Sequence, residues 1–204
     1  GSEGSALGLP LVPASTSSYG TPNQRFANGI IYVTPRGTFD IRGAIFASYL
    51  TLKGEASPLR TVATSELPGP VPGSRMNWFT GGLIVWSPAT GAQPIYGAVG
   101  QAYLINGWGS VIGLPKAPET SGAVPGVRVQ TFTGGRVLWS ASTGAHEVHG
   151  AILSRYLAYG KEASALGLPT SNEFVTSTGR ANTFQHGRID WNARTGAVTV
   201  TLTK

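Results

Sequence analysis

The 204-residue sequence contains no cysteine. Disulfides, thiolate catalysis, zinc ribbons and iron–sulfur clusters are thereby excluded together, while the redox compartment stays open, since exported proteins can also lack cysteine. Charge is scarce as well, at 12% of residues against a usual share of roughly 25%. With 41% hydrophobic residues, charge-driven disorder is excluded. Long apolar runs are missing. Stretches such as Leu83-Ile84-Val85-Trp86 fall far short of the ~18 residues that a membrane-spanning helix requires, so no membrane span is expected. The start, Gly1-Ser2-Glu3-Gly4, has neither a basic nor an apolar leader region, and the expectation is that any export signal has been removed or lies outside this sequence.

Catalytic signatures are missing too. There is no Gly-x-Ser-x-Gly elbow, no Walker loop and no Gly-x-Gly-x-x-Gly after a strand, which are the patterns that nucleophilic and phosphate-binding chemistry needs. Six of the nine carboxylates recur at repeated positions, whereas a glycosidase pair is normally built once, from dissimilar positions. No enzyme activity and no cofactor are expected. The net charge of +6 is spread along the chain rather than grouped, so a nucleic-acid partner is not expected either.

What the sequence has in abundance is glycine and proline, 29 and 14 residues, and these punctuate an internal repeat. Phe26, Phe79, Phe132 and Phe184 are spaced by 53, 53 and 52 residues, each followed three positions later by Gly29, Gly82, Gly135 or Gly187. Trp86, Trp139 and Trp191 lie seven residues after their Phe, and Val33 takes that place in the first unit. Thr-Gly-Ala recurs at 90–92, 143–145 and 195–197. Gly-Ala openings at Gly43, Gly97 and Gly150 lead to Tyr49, Tyr103 and Tyr156. Finally come Leu7-Gly8-Leu9-Pro10, Ile112-Gly113-Leu114-Pro115 and Leu166-Gly167-Leu168-Pro169, with Leu59-Arg60-Thr61-Val62 as an eroded copy. The period is about 53 residues, and the approximate units are 1–54, 55–107, 108–161 and 162–204.

Each unit reads as loop, β-hairpin or small meander, and short helix. Ile45, Tyr49 and Leu52 share one face at helical spacing, and Gly54 and Gly160 are expected to stop their helices. Two-residue spacing places Ile84 with Trp86, Val137 with Trp139 and Ile189 with Trp191 on one strand face. A unit of this size cannot bury its apolar face alone, so copies must stack. The predicted fold is an α+β tandem repeat of four units, stacked or ring-closed. The last unit lacks its helix.

Repeated positions supply the candidate site residues. The four Phe (Phe26, Phe79, Phe132, Phe184) and the three in-register Trp (Trp86, Trp139, Trp191) are assigned to the repeat core, as large aromatics flanked by aliphatic residues usually are. Trp78 and Trp108 occur in one unit each, so they are candidates for stacking on sugar rings. Glu66, Glu119 and Glu173 recur seven residues after the first residue of a tetrapeptide, with Ala14 in the first unit. An amide stands two residues before every Phe, at Gln24, Asn77, Gln130 and Asn182. Both series have two possible jobs, to satisfy a buried loop backbone or to offer one hydroxyl contact per unit to a polymer. Glu55 and Glu162 share a further position, which Trp108 occupies in another unit, so that position reads as not structurally fixed. His146 and His149 are three apart but lack metal-protease spacing, and no metal site is expected.

The combined pattern, Gly-Ala-Ile-x4-Tyr-Leu, Leu-Gly-Leu-Pro and Phe-x-Gly-Gly-x-Ile-x-Trp-Ser-Pro-x-Thr-Gly-Ala, resembles the LGFP repeat, with Leu in place of its Phe in the tetrapeptide. That family occurs in exported proteins of mycolic-acid-containing actinobacteria, including C-terminal regions of corynebacterial mycoloyltransferases and some cell-wall amidases. The resemblance implies a secreted, cell-wall-associated module without catalysis, held non-covalently by wall polysaccharide of the arabinogalactan–peptidoglycan layer. It also admits an upstream catalytic domain in the same protein. The rival reading is a protein-interaction scaffold, or an accessory domain packed on such a catalytic domain.

Overall fold

The computed structural model describes residues 6–107 and 109–203. Among them, each repeat forms a four-stranded antiparallel sheet in simple sequence order. The first sheet comprises β1 (Ser15–Thr16), β2 (Pro22–Phe26), β3 (Gly29–Thr34) and β4 (Gly37–Arg42), followed by α1 (Gly43–Thr51). The second has β5 (Leu67–Pro68), β6 (Arg75–Phe79), β7 (Gly82–Ser87) and β8 (Gly91–Tyr96), followed by α2 (Gly97–Ile105). The third has β9 (Thr120–Ser121), β10 (Arg128–Thr131), β11 (Gly135–Ser140) and β12 (Gly144–His149), followed by α3 (Gly150–Tyr159). The fourth has β13 (Phe174–Val175), β14 (Gly179–Phe184), β15 (Gly187–Asn192) and β16 (Val198–Leu202). The chain divides into two compact bodies, Gly1–Gly97 and Ala98–Lys204. The architecture is thus a mixed α+β tandem repeat. Each sheet adds a short edge strand to the hairpin or small meander expected from the sequence; β1, β5, β9 and β13 are two residues long, too short to show an alternating pattern.

The repeated glycines have specific geometric jobs. A Cβ on Gly29 or Gly82 would lie 2.5 or 2.3 Å from the carbonyl oxygen of Ile41 or Ile95 on the neighbouring strand, so only glycine lets β3 and β4, or β7 and β8, approach this closely where the strand pair begins. Gly43, Gly97 and Gly150 each have φ near +60°. That left-handed step turns the third long strand directly into the helix, with no connecting loop. At the far end of α3, Gly160 is the left-handed stop that the sequence suggested. In α1 the first left-handed residue is instead Lys53, with Gly54 following as the start of a short 3₁₀ turn.

Packing between repeats is carried by one tyrosine per helix. The Tyr49 hydroxyl donates to the Arg60 carbonyl at 2.7 Å, Tyr103 to Gly113 at 3.1 Å and Tyr156 to Gly167 at 2.9 Å. Each acceptor is the second residue of the following tetrapeptide. The same three rings lie on Phe79, Phe132 and Phe184, with centroids 4.8 to 5.0 Å apart. Burial raises the pKa of all three tyrosines, so each remains a neutral donor. Around them, Ile41, Ile45, Leu59, Val62 and Ile84 form one core, and Val148, Ile152, Leu166, Leu168 and Ile189 form the corresponding core of the second body. In the second, third and fourth units the apolar residues of the tetrapeptide are therefore buried between the helix of one unit and the sheet of the next.

Tyr156→Phe keeps the stacked ring and removes only the hydroxyl donor to a buried carbonyl, so it should cost about 1–2 kcal/mol. Urea denaturation of the two proteins measures it. An unchanged midpoint would show that the hydroxyl contributes nothing to the joint.

Candidate functional site

In two of its three copies, Glu66 and Glu173, the recurring carboxylate stands where two repeats meet. Glu66 Oε1 lies 3.4 Å from Arg42 Nη2 and 3.9 Å from Arg75 Nε, and Arg42 also faces Asp40 at 3.8 Å. In the second body the same positions hold Glu173, His149, Arg180 and Glu147. His149 Nδ1 is 2.6 Å from Glu147 and its Nε2 3.2 Å from Glu173, while Arg180 is 3.4 Å from Glu173. Glu119 pairs with Arg128 at 2.7 Å. The arginines are members of this ion-paired cluster that the sequence did not single out. Their signal is positional, since Arg75, Arg128 and Arg180 each stand two residues before the repeated amide.

Cross-strand register sets a tryptophan opposite each arginine: Arg75 with Trp86, Arg128 with Trp139 and Arg180 with Trp191. Directly opposed residues of an antiparallel pair project from the same face. All three tryptophans are half-buried, and Trp86 and Trp191 pack against the buried clusters of their bodies without being enclosed by them, so they stand at the margin of the core to which the sequence assigns them. The cause is their position at the far end of the middle strand, where the packed interior gives way to the ion-paired rim. Phe26, Phe79, Phe132 and Phe184 are buried as expected. Arg42, Ile45, Glu66, Arg75 and Trp86 together line an open cavity of about 360 Å³ at the start of α1. An indole face beside a carboxylate and guanidinium groups can stack on the C–H face of a sugar while the polar groups bond its hydroxyls. The paired charges cancel, two positive against two negative, in both clusters.

Other candidates are placed differently. Asn77 and Asn182 are completely buried. The Asn77 amide nitrogen donates to the carbonyls of Asp40 and Thr64, each at 2.9 Å, and that of Asn182 to Glu147 and Ser171, at 2.9 and 3.1 Å. Gln130 is buried and donates to Ala117 at 3.0 Å, while the half-buried Gln24 donates to Val12 and Arg25. These amides peg the loop to the sheet, so the buried ones are not surfaces a polymer could reach. Glu55 accepts from the hydroxyls of Thr21 at 2.6 Å and Thr61 at 3.0 Å, and Glu162 accepts from the Ala123 amide at 2.7 Å. Both are buried. Where glutamate is present, that position has a structural job, contrary to the expectation from its exchange with tryptophan. Trp78 is half-buried on β6, on the face opposite Asn77. Trp108 lies outside the described residues. His146 and His149 share one strand, β12, where an odd separation sends them to opposite faces, and His146 bonds the Thr143 carbonyl at 2.8 Å.

Two tests follow from this geometry. Asn182→Ala leaves two buried carbonyls without their donor and should cost about 2–4 kcal/mol, read as a fall in the urea midpoint. The hydrogen bonds to Glu147 and Glu173 push the pKa of His149 up to about 9 against the opposing effect of burial. A raised folded-state pKa means that the stabilisation is complete below about pH 6.5 and lost as pH rises to about 9. His149→Gln should therefore lower stability by on the order of 2 kcal/mol near pH 6, and its deficit should vanish by pH 10. A deficit that does not change with pH would refute the ion-paired histidine.

The LGFP repeat family matches the chain four times, over residues 7–57, 62–110, 112–164 and 166–202. LGFP repeats are generally associated with extracellular and cell-wall-associated proteins. No curated protein matches the chain. Among the described residues no helix is long and apolar enough to cross a membrane.

Proposed function

The chain belongs to the LGFP-repeat family over nearly its whole length, and from that premise we propose that it is a non-catalytic anchoring module of the cell envelope. It binds wall polysaccharide of the arabinogalactan–peptidoglycan layer through several weak, equivalent sites. The observation that carries this reading is the recurrence of one glutamate–arginine–tryptophan constellation. It stands at Glu66, Arg75 and Trp86 and again at Glu173, Arg180 and Trp191, each time against a basic residue at the helix start, Arg42 or His149. A ligand that repeats along its length is the natural match for a site that repeats along a chain. Retention then comes from simultaneous engagement of modest sites, which multiplies affinity without a deep pocket. The absence of net charge in each cluster suits uncharged sugar hydroxyls better than a polyanion. The carboxylates are tied up in ion pairs at repeated positions, which favours binding over acid–base turnover.

The test is a pull-down on delipidated cell wall, compared with peptidoglycan stripped of arabinogalactan by acid. Retention on the first alone assigns arabinogalactan, and equal retention on both assigns peptidoglycan. Arg75→Ala combined with Arg180→Ala, at exposed positions that leave the core intact, should weaken retention about tenfold or more, as expected when two of several linked sites are lost. No retention on either material would overturn the reading in favour of a protein-interaction scaffold.

A further inference from the structure

The first repeat keeps the parts that receive a helix, and among the described residues no helix lies upon them. In the other three units the tetrapeptide is closed over. Leu59, Ile112 and Leu166 are fully buried, and Leu114 and Leu168 are 8% and 5% exposed. Leu9, the equivalent of the last two, is 56% exposed, and Pro10 is exposed where Pro115 and Pro169 are buried. The same contrast holds on the sheet. Ile84, Val137 and Ile189 are fully buried, whereas Ile31 is half-buried and its neighbour Val33 is 50% exposed.

The backbone of this face is already in its receiving form. Asn28 and Ala27 donate to the Leu7 and Leu9 carbonyls, as Gly81 and Thr80 donate to Leu59 and Thr61, and as His186 and Gln185 donate to Leu166 and Leu168. Pro10 bridges Phe26 as Val62 bridges Phe79. Alongside lies an open groove of about 340 Å³ whose lining includes Ala14, Pro22, Ile31 and Val33. Ala14, Pro22 and Val33 occupy the positions that hold Glu66, Arg75 and Trp86 in the second unit. The polar constellation has thus been exchanged for apolar side chains while the tetrapeptide and Phe26 are kept.

We propose that this face is a docking surface for a helix from another LGFP unit. The helix opens with Gly-Ala, has an aliphatic residue two positions after that Gly, and has a tyrosine six positions after it. Three occupied copies of the interface define these features: Ile45 and Tyr49, Val99 and Tyr103, Ile152 and Tyr156. Those three tyrosines are engaged on Phe79, Phe132 and Phe184, so none is left for Phe26. A second copy of this chain is a poor occupant, since its own helices are committed in the same way. The face of the fourth sheet that carries Arg188 and Asp190 is no equivalent, since these residues form an ion pair where the second unit has Leu83 and Val85. The surface at Leu9 and Val33 carries no such ion pair among the described residues.

The experiment replaces residues 1–6 with a copy of residues 150–165 joined directly to Leu7, reproducing the natural junction of Ala165 with Leu166. The fused helix should raise Tm by about 5 °C. The same fusion with the copied Tyr156→Ala should lose most of that gain. Leu9→Ser should alter the unfused chain little, because Leu9 is exposed, yet cancel most of the gain in the fused one. As an independent reading, the free peptide of residues 150–165 should shift the methyl resonances of Leu9, Ile31 and Val33, and its Tyr156→Ala form should not. A gain insensitive to both substitutions, or neither a gain nor methyl shifts, overturns the proposal. Dimerisation of the unmodified chain that Leu9→Ser abolishes would overturn it in favour of a second copy. None of these readings involves the cell wall, so they stand or fall separately from the polysaccharide site.

Discussion

The structure depends on one contact made three times: a helix tyrosine that lies on the phenylalanine of the following repeat and donates its hydroxyl to the carbonyl of the tetrapeptide's second residue. A sheet of four short strands has too little interior to stand alone. The tyrosine supplies both halves of the remedy, apolar area through its ring and a partner for an otherwise buried carbonyl through its hydroxyl. Because the donor belongs to one unit and the acceptor to the next, neither is satisfied until the two have packed. Stability is therefore a property of neighbouring pairs, as in other repeat proteins.

That dependence explains which residues surround the site. Where tyrosine and phenylalanine seal the centre of the joint, the rim is left for polar groups, and glutamate, arginine and tryptophan collect there. The basic partner at the start of the helix is Arg42 in one cluster and His149 in the other, so clusters on the same plan differ in their sensitivity to pH. The asparagines Asn77 and Asn182 stand one alternation inward from the arginines on the same strand face. They hold the loop carbonyls that fix where the glutamate stands.

Much of this was legible in the sequence, for identifiable reasons. The repeats, the helices and the buried phenylalanines all rest on residues whose spacing is enforced by packing, and spacing survives in a linear sequence. The seven-residue interval from Phe to Trp gave the strand and its register correctly but not the depth, because periodicity reports the face of a strand and not where along it the interior ends. Asn77 and Glu66 look alike in the sequence as recurrent polar residues. Only the fold shows that one is a completely buried peg and the other an ion-paired rim residue. The arginines escaped notice because a solvated arginine is common on any strand, and their meaning comes from the glutamate they face.

The spacing that never varies is as informative as the residues. From Phe to the turn glycine is always three positions, and from the left-handed glycine to the tyrosine always six, while the stretch from the tetrapeptide to the phenylalanine differs between units, from Leu59 to Phe79 or from Leu166 to Phe184. A strand that becomes a helix through a single left-handed residue has no slack. One inserted residue between Gly150 and Tyr156 would swing the tyrosine by about 100° around the helix axis and carry it away from its carbonyl. The length differences among the four repeats accordingly fall in connecting segments, chiefly the loops after the two-residue strands, with single-residue differences in the turn between β3 and β4 and between Tyr103 and Ile112, while the joints stay in step.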